Sequence, residues 1–226
     1  RTEAIDVSVF VDYLVAEIHA VELQGRDHHD LLPLLGQLGS LARDSRFSKN
    51  CAQSCACLAS IAHSHSCHMV RGNVLEVFLV LSQQADLHPA IGEAREKLFA
   101  VVDETLGYDE ARMRAVSCGL IWNLAIPGPH APELRSELTR FLETVARLVE
   151  DGDAVVAHRA VHAVWFLAQA KDRARLLATR EGLLGPLLRK AGALEASDED
   201  LSILLRTLSR CVALVMSSDE AEEEGL

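Results

Sequence analysis

The thirteen residues HRAVHAVWFLAQA, His158 to Ala170, decide how this chain is read. Two histidines stand four apart, followed by a tryptophan and a glutamine at offsets 7 and 11 from His158. Residues at such spacing share one helical face. On that face lie His158, His162, Trp165 and Gln169; the opposite face holds Ala160, Val161, Val164, Leu167 and Ala168, a buried stripe. The histidines are therefore expected to be the outward stripe of a helix whose other side is core.

Similar segments recur along the chain. CAQSCACLASIA, MRAVSCGLIWNLA and LLRTLSRCVALV also run as helices with small residues at helical spacing. A second pattern is a turn residue followed by a short apolar helix: DLLPLLGQL from Asp30, GNVLEVFLVL from Gly72, EGLLGPLLRK from Glu181 and, more weakly, SELTRFLETVARLV from Ser136. Asp30 to Gly72 spans 42 residues and Ser136 to Gly182 spans 46. The long-helix ends Asn123, Gln169 and Arg210 are 46 and 41 residues apart, within the period of roughly 40–47 expected of helical repeat arrays. Ser60 to Asn123 spans 63, and the excess, His88 to Gly107, is one amphipathic helix's worth. The punctuation is Gly, Pro and Asp, with Asp153 and Ser197 or Asp198 as expected N-caps and Pro89 and Pro132 suited to a first helical turn. Alternating strand patterns are absent.

These units resemble armadillo repeats. LLATREGLLGPLL, Leu176 to Leu188, is similar to that family's link into its second helix, and HAVWFLAQA, His162 to Ala170, to its third-helix signature of a Trp with an amide-bearing residue four later. The resemblance covers most of the chain and implies an all-α, right-handed α-solenoid of about four armadillo or HEAT-like repeats with one irregular or inserted helix in the middle. The expected organisation is one repeat domain over 1–216, irregular at about 86–108, and an acidic tail over 217–226, which is expected to fray. A single repeat cannot bury its apolar face alone, so stacking creates the core and lines up the third helices as a ladder.

The resemblance also implies a binding surface. Armadillo proteins of the importin alpha type clamp an extended basic peptide between a Trp ring and an Asn amide. Here Trp165 with Gln169 keeps that spacing, with Gln for Asn. Asn123 has Gly119 at the Trp position and Trp122 beside it, and the first unit offers Ala56 and Ser60. The full basic-peptide clamp is thus not expected. The outward row in this register runs Lys49, Gln53, Arg112, Val116, Trp122, Asn123, His158, His162, Trp165, Gln169, Arg206 and Arg210, a mixed row with several cations.

Composition narrows the function. The 226 residues carry a net charge of −11, from 33 acidic and 22 basic residues, which disfavours nucleic acid, since a phosphate backbone needs a cationic surface. Aromatics are 4%, few for a protein that stacks bases. Cys51, Cys55, Cys57, Cys67, Cys118 and Cys211 mostly sit within apolar helical patterns, the expectation for reduced thiols in the cytoplasm or nucleus. No apolar stretch reaches the roughly 18 residues of a membrane span. No secretory leader stands at the start, and a chain beginning at Arg1 is expected to be a piece of a longer protein.

There is no G-x-S-x-G elbow, Walker loop or G-x-G-x-x-G, and Cys118 falls in a small-residue helix stripe, so no enzyme is expected. Cys51 to His68 is the most metal-like stretch, but its cysteines lie in an apolar helix rather than a zinc knuckle. His158 and His162 lack the intervening Glu of a zincin helix and have Arg159 beside them, so they are expected to be solvated or partner-facing. The expectation is a scaffold or adaptor without cofactor that binds a protein or peptide segment along the third-helix row, with no nucleic acid and no membrane insertion. The alternatives are a cargo or client-peptide receptor and a regulatory domain of a larger enzyme or motor protein; self-association through the solenoid ends is a further expectation.

Overall fold

The computed structural model describes residues 7–23, 28–44, 46–126, 132–194 and 198–223. These form fourteen α-helices, and no strand occurs among the described residues. In chain order they are α1 Val7–Leu23, α2 His28–Ala42, α3 Ser48–Ala52, α4 Cys55–Ser64, α5 His68–Leu81, α6 His88–Glu93, α7 Arg95–Thr105, α8 Ala111–Ala125, α9 Pro132–Glu137, α10 Leu142–Leu148, α11 Ala154–Leu167, α12 Lys171–Thr179, α13 Leu184–Ala193 and α14 Glu199–Glu223. Contacts group the described chain into two compact units, one ending at Gly107 and the other starting at Tyr108.

In the first unit α2 packs on α5 and α4 packs on both α5 and α7. Val11, Leu14, Ile18 and Val21 on α1, and Leu31, Leu35 and Leu38 on α2, recur every three or four residues and are buried, as an amphipathic helix requires. Cys51, Cys55, Leu58 and Ile61 join Val74, Phe78, Leu98 and Phe99 in the same core. The extra stretch after His88 forms two helices, not one: α6 ends at Ala94, where α7 begins, and α7 packs against α4 as part of the core. His88 is buried and donates from Nε2 to Ser82 O at 2.9 Å, which ties the start of α6 to the end of α5.

The second unit is built on α8, α11 and α14. α8 and α11 make the most extensive helix contact in the described chain, and α11 also packs on α10 and α14. Both helices bury runs of small residues: Ala115, Ser117, Cys118 and Gly119 on α8; Ala157, Ala160 and Ala163 on α11. Side chains of that size let helix axes approach closely. Asp153 caps α11 by accepting hydrogen bonds from the Val155 and Val156 amides at 2.9 and 3.1 Å. Asp198 accepts from the Asp200 amide at 2.9 Å where α14 begins; Ser197 lies outside the described residues. Pro89 stands in the first turn of α6, and Pro132 is the first residue of α9. The tail does not end the last helix, since α14 runs on through Glu223.

Arginines hold the second unit's layers together. Arg114 on α8 forms a two-point ion pair with Asp151, just before α11, at 2.7 and 2.9 Å, and also donates to the Tyr108 and Asp109 carbonyls. Arg159 on α11 donates to Ala115 O on α8 at 2.9 Å. Gly182, between α12 and α13, has φ +83°, a left-handed conformation that a side chain disfavours.

Two predictions follow from this framework. Gly182→Ala lowers unfolding free energy by about 1 kcal/mol, whereas Gly152→Ala, in open space without a left-handed φ, leaves it unchanged or slightly higher in denaturant titration. The hydrogen-bonded Arg114 guanidinium holds the Asp151 carboxyl below its ordinary 3.8. The folded pKa is depressed, so the pair's stabilisation is complete above 3.8 and disappears as pH falls through the lower folded value. Arg114→Met costs about 2–3 kcal/mol at pH 7, and the gap to the parent protein narrows below pH 3.8 in acid-unfolding curves.

Candidate functional site

α11 is anchored by its cap and by α8, and this fixes what its remaining surface presents. The helix buries eight residues, Val156, Ala157, Ala160, Val161, His162, Ala163, Val164 and Leu167, more than one face. His162 is therefore not on an open stripe: it is 9% exposed, and its ring stacks on Trp122 of α8 with centroids 4.2 Å apart and planes at 29°. Trp122 also meets His158 edge-on at 6.1 Å, and the two imidazoles are 4.5 Å apart. Two histidines were expected to be solvated or partner-facing; His162 is buried, whereas the His158 side chain is 46% exposed.

A carboxylate joins them from another helix. Asp200, in the first turn of α14, places Oδ1 2.9 Å from His158 Nδ1 and 3.7 Å from His162 Nε2. Both Trp122 Nε1 and His162 Nε2 are buried without a hydrogen-bond partner. The His162 pKa is held below the ordinary 6.5, first by burial and next by neighbouring His158, while Asp200 and Glu199 push it back up.

Beyond this cluster, α11 and α14 enclose an open groove of about 680 Å³ lined by Trp165, Leu201, Ser202, Leu205, Arg206, Ser209 and Arg210. Trp165 is half-buried and forms one wall. On α14, Leu205 is 52% exposed and Arg206 is exposed, 41 residues after Trp165 and at the equivalent point of the next repeat. Gln169, just past the end of α11, is half-buried, and its side-chain amide donates back to Trp165 O at 3.2 Å.

The other expected groove residues divide in the same way. Arg210 lines the groove, but its guanidinium donates to Ala168 O and Gln169 O at 2.8 and 2.7 Å, satisfying carbonyls at the end of α11. Trp122 is half-buried behind His162, not presented as a free ring, and Asn123 is half-buried beside it. Val116 is 5% exposed and belongs to the core, which corrects its place in the outward row; the register predicted for α11 does not carry over to α8. Arg112 is exposed on α8. In the first unit Gln53 is exposed, and Lys49 is exposed and pairs with Asp86 at 3.6 Å.

Cys51, Cys55, Cys118 and Cys211 are buried in the core, and Cys57 and Cys67 are half-buried. Burial pushes the thiols of Cys55 and Cys118 up to about 12 and that of Cys51 to about 11, so they are protonated at neutral pH and are poor nucleophiles. Sequence reasoning missed Asp200, because its partners lie 38 and 42 residues away in the chain.

With this geometry in place, comparison with solved structures identifies the fold. A designed armadillo repeat protein is similar over 92% of this chain and 82% of its own, with a TM-score of 0.70 at 15% identity. Another, in complex with the peptide (KR)4, matches over 91% of this chain and 81% of its own, with a TM-score of 0.69 at 15% identity. A third, computationally designed for modular peptide recognition, matches over 88% and 99% with a TM-score of 0.58 at 14% identity. The chain has an armadillo-like repeat fold, an all-α solenoid. No protein-family model matches the sequence, and comparison with curated proteins finds no relative. No described helix is long and apolar enough to cross a membrane.

The two groove arginines should behave differently on truncation. Arg210→Ala should cost about 1–2 kcal/mol of unfolding free energy, because two carbonyls at the end of α11 lose a charged donor. Arg206→Ala should leave stability within about 0.5 kcal/mol of the parent. Thermal unfolding of both variants checks the contrast.

Proposed function

We propose that this chain is a non-catalytic protein-binding scaffold that holds an extended partner segment in the groove between α11 and α14. The observation that carries the reading is the groove itself: an aromatic wall, Trp165, faces an exposed leucine, Leu205, and an exposed guanidinium, Arg206, on a framework held from behind. Trp and Arg are enriched among residues that dominate protein interfaces. The peptide-binding activity named for two of the structurally similar designed proteins supports the same use of the fold.

The occupant has a stated chemistry. Trp165 and Leu205 receive an apolar side chain, and Arg206 pairs with a carboxylate two or three residues away on the segment. A basic segment gains nothing from Arg206, and the groove lacks a Trp–amide clamp because the Gln169 amide bonds back to Trp165 O at the end of α11. The docking row is shorter than the ladder: His162 and Val116 are buried and Arg210 serves the helix end, so the working surface is Trp165, Leu205 and Arg206. Six cysteines outside any disulfide, four of them buried, fit a reducing compartment. Among the functional alternatives, selection of one partner by this defined apolar-plus-acidic signature favours an adaptor over a receptor for varied clients.

Selection from a random peptide library tests this. The expected enrichment is for segments with an aromatic or aliphatic residue near Asp or Glu. Trp165→Ala weakens the enriched peptide at least about tenfold and Arg206→Glu does the same, each with unfolding temperature within a few degrees of the parent. Enrichment of Lys/Arg-rich peptides, or equal affinity of the Trp165→Ala protein, contradicts the reading.

A further inference from the structure

The His158–His162–Asp200 cluster lies apart from the groove's working surface and has its own chemistry. One ligand atom from each of the three side chains lies within 4.8 Å of the other two. The two measured separations to Asp200 Oδ1 are 2.9 Å from His158 Nδ1 and 3.7 Å from His162 Nε2. A divalent ion bound tetrahedrally at roughly 2.0–2.2 Å holds its ligand atoms roughly 3.3–3.6 Å apart. The two distances to Asp200 bracket that spacing.

A second observation points to a ligand. The His162 side chain is only 11% exposed, and its Nε2 has no hydrogen-bond partner although it faces the Asp200 carboxylate at 3.7 Å. Leaving a buried polar atom unpaired is costly, and the Trp122 ring stacked on this imidazole shields one face of it from water. We propose that His158, His162 and Asp200 bind one divalent transition-metal ion, Zn²⁺ by preference, which bridges α11 and α14.

The chemistry of the set supports that class of ion. Imidazole nitrogen with carboxylate oxygen suits zinc and its neighbours, whereas Mg²⁺ and Ca²⁺ take oxygen ligands. Binding uses the Nδ1 lone pair of a neutral His158, the Nε2 lone pair of a neutral His162 and an ionised Asp200, so any proton on these atoms leaves to solvent. Glu199 adds negative charge that acts on His162. Arg159, which follows His158 in sequence, has its guanidinium engaged with Ala115 O on α8. With three protein ligands, a fourth position stays open beside His158, where the side chain is half-exposed and an ion can enter.

Calorimetric titration of the chain with ZnCl₂, and with CoCl₂ followed by visible absorption, tests the site. The proposal expects one equivalent bound, a rise in unfolding temperature with Zn²⁺ that EDTA reverses, and cobalt d–d bands without a thiolate-to-cobalt charge-transfer band. Asp200→Asn, which keeps the side chain's shape, and His158→Ala, at a half-exposed position, each weaken binding at least tenfold. Absence of binding, equal affinity in both variants, or a thiolate charge-transfer band, which would move the ion to the Cys51–His68 stretch, overturns it. If a variant fails to fold by circular dichroism, the cobalt spectrum of the unaltered chain decides on the same criteria.

Discussion

Close approach of α8 and α11 is the constraint on which the second unit rests. Both helices bury small side chains, and Ala160, Ala163 and Cys118 have no exposure at all. Surfaces of this kind leave little volume to absorb a larger residue, so the spacing between the helices is set by backbone and Cβ contact rather than by deformable chains. Arg159 reaching Ala115 O and Arg114 gripping Asp151 act at the edges of this contact and fix how the helices are offset along their axes. The arginines lose flexibility in doing so, and their charge is satisfied by carbonyl oxygens and a buried carboxylate.

That constraint divides the chemistry-bearing residues into two populations. Side chains aimed back towards α8, such as His162 against Trp122, are held in place by packing and become part of the framework. Those aimed towards α14 keep part of their surface for something else: Trp165, and across from it Leu205 and Arg206. Asp200 stands between the populations. It is placed by the first turn of α14, with its own amide held by Asp198, and it reaches back to the histidines of α11. A helix start with an acidic residue in its first turn is stable in its own right, so the carboxylate is delivered by ordinary helix energetics and not by strain.

Much of this was legible in the sequence. The small-residue runs and the 41- and 46-residue spacings gave the helical array, and Asp153, Asp198, Pro89 and Pro132 marked helix starts, because each of these signals is local and depends on a few neighbouring residues. Trp165, on the stripe opposite Val161, Val164 and Leu167, lines the α11–α14 groove. What local pattern could not supply was the second neighbour. A helix in the middle of a layered array is covered on two sides, so a single outward stripe overstates its free surface; hence His162 and Val116 were expected to face outward and are buried. Arg210 was expected to face a partner and instead closes the end of α11, since the carbonyls it serves are 41 and 42 residues earlier. The break at Ala94, which turns one expected helix into two, leaves no Gly or Pro signal at that residue.

Native-state hydrogen exchange resolved by residue tests the central claim most directly, because it reports the free energy needed to open each helix. If α8 and α11 are the framework, the amides of both helices exchange only through global unfolding and share one opening free energy with α10. The turns of α14 that carry the exposed Val212 and Met216 open at much lower cost. Exchange of α11 at markedly lower free energy than α10 or α13 would show that the helix bearing Trp165 and the histidines is a mobile layer and not the support of the site.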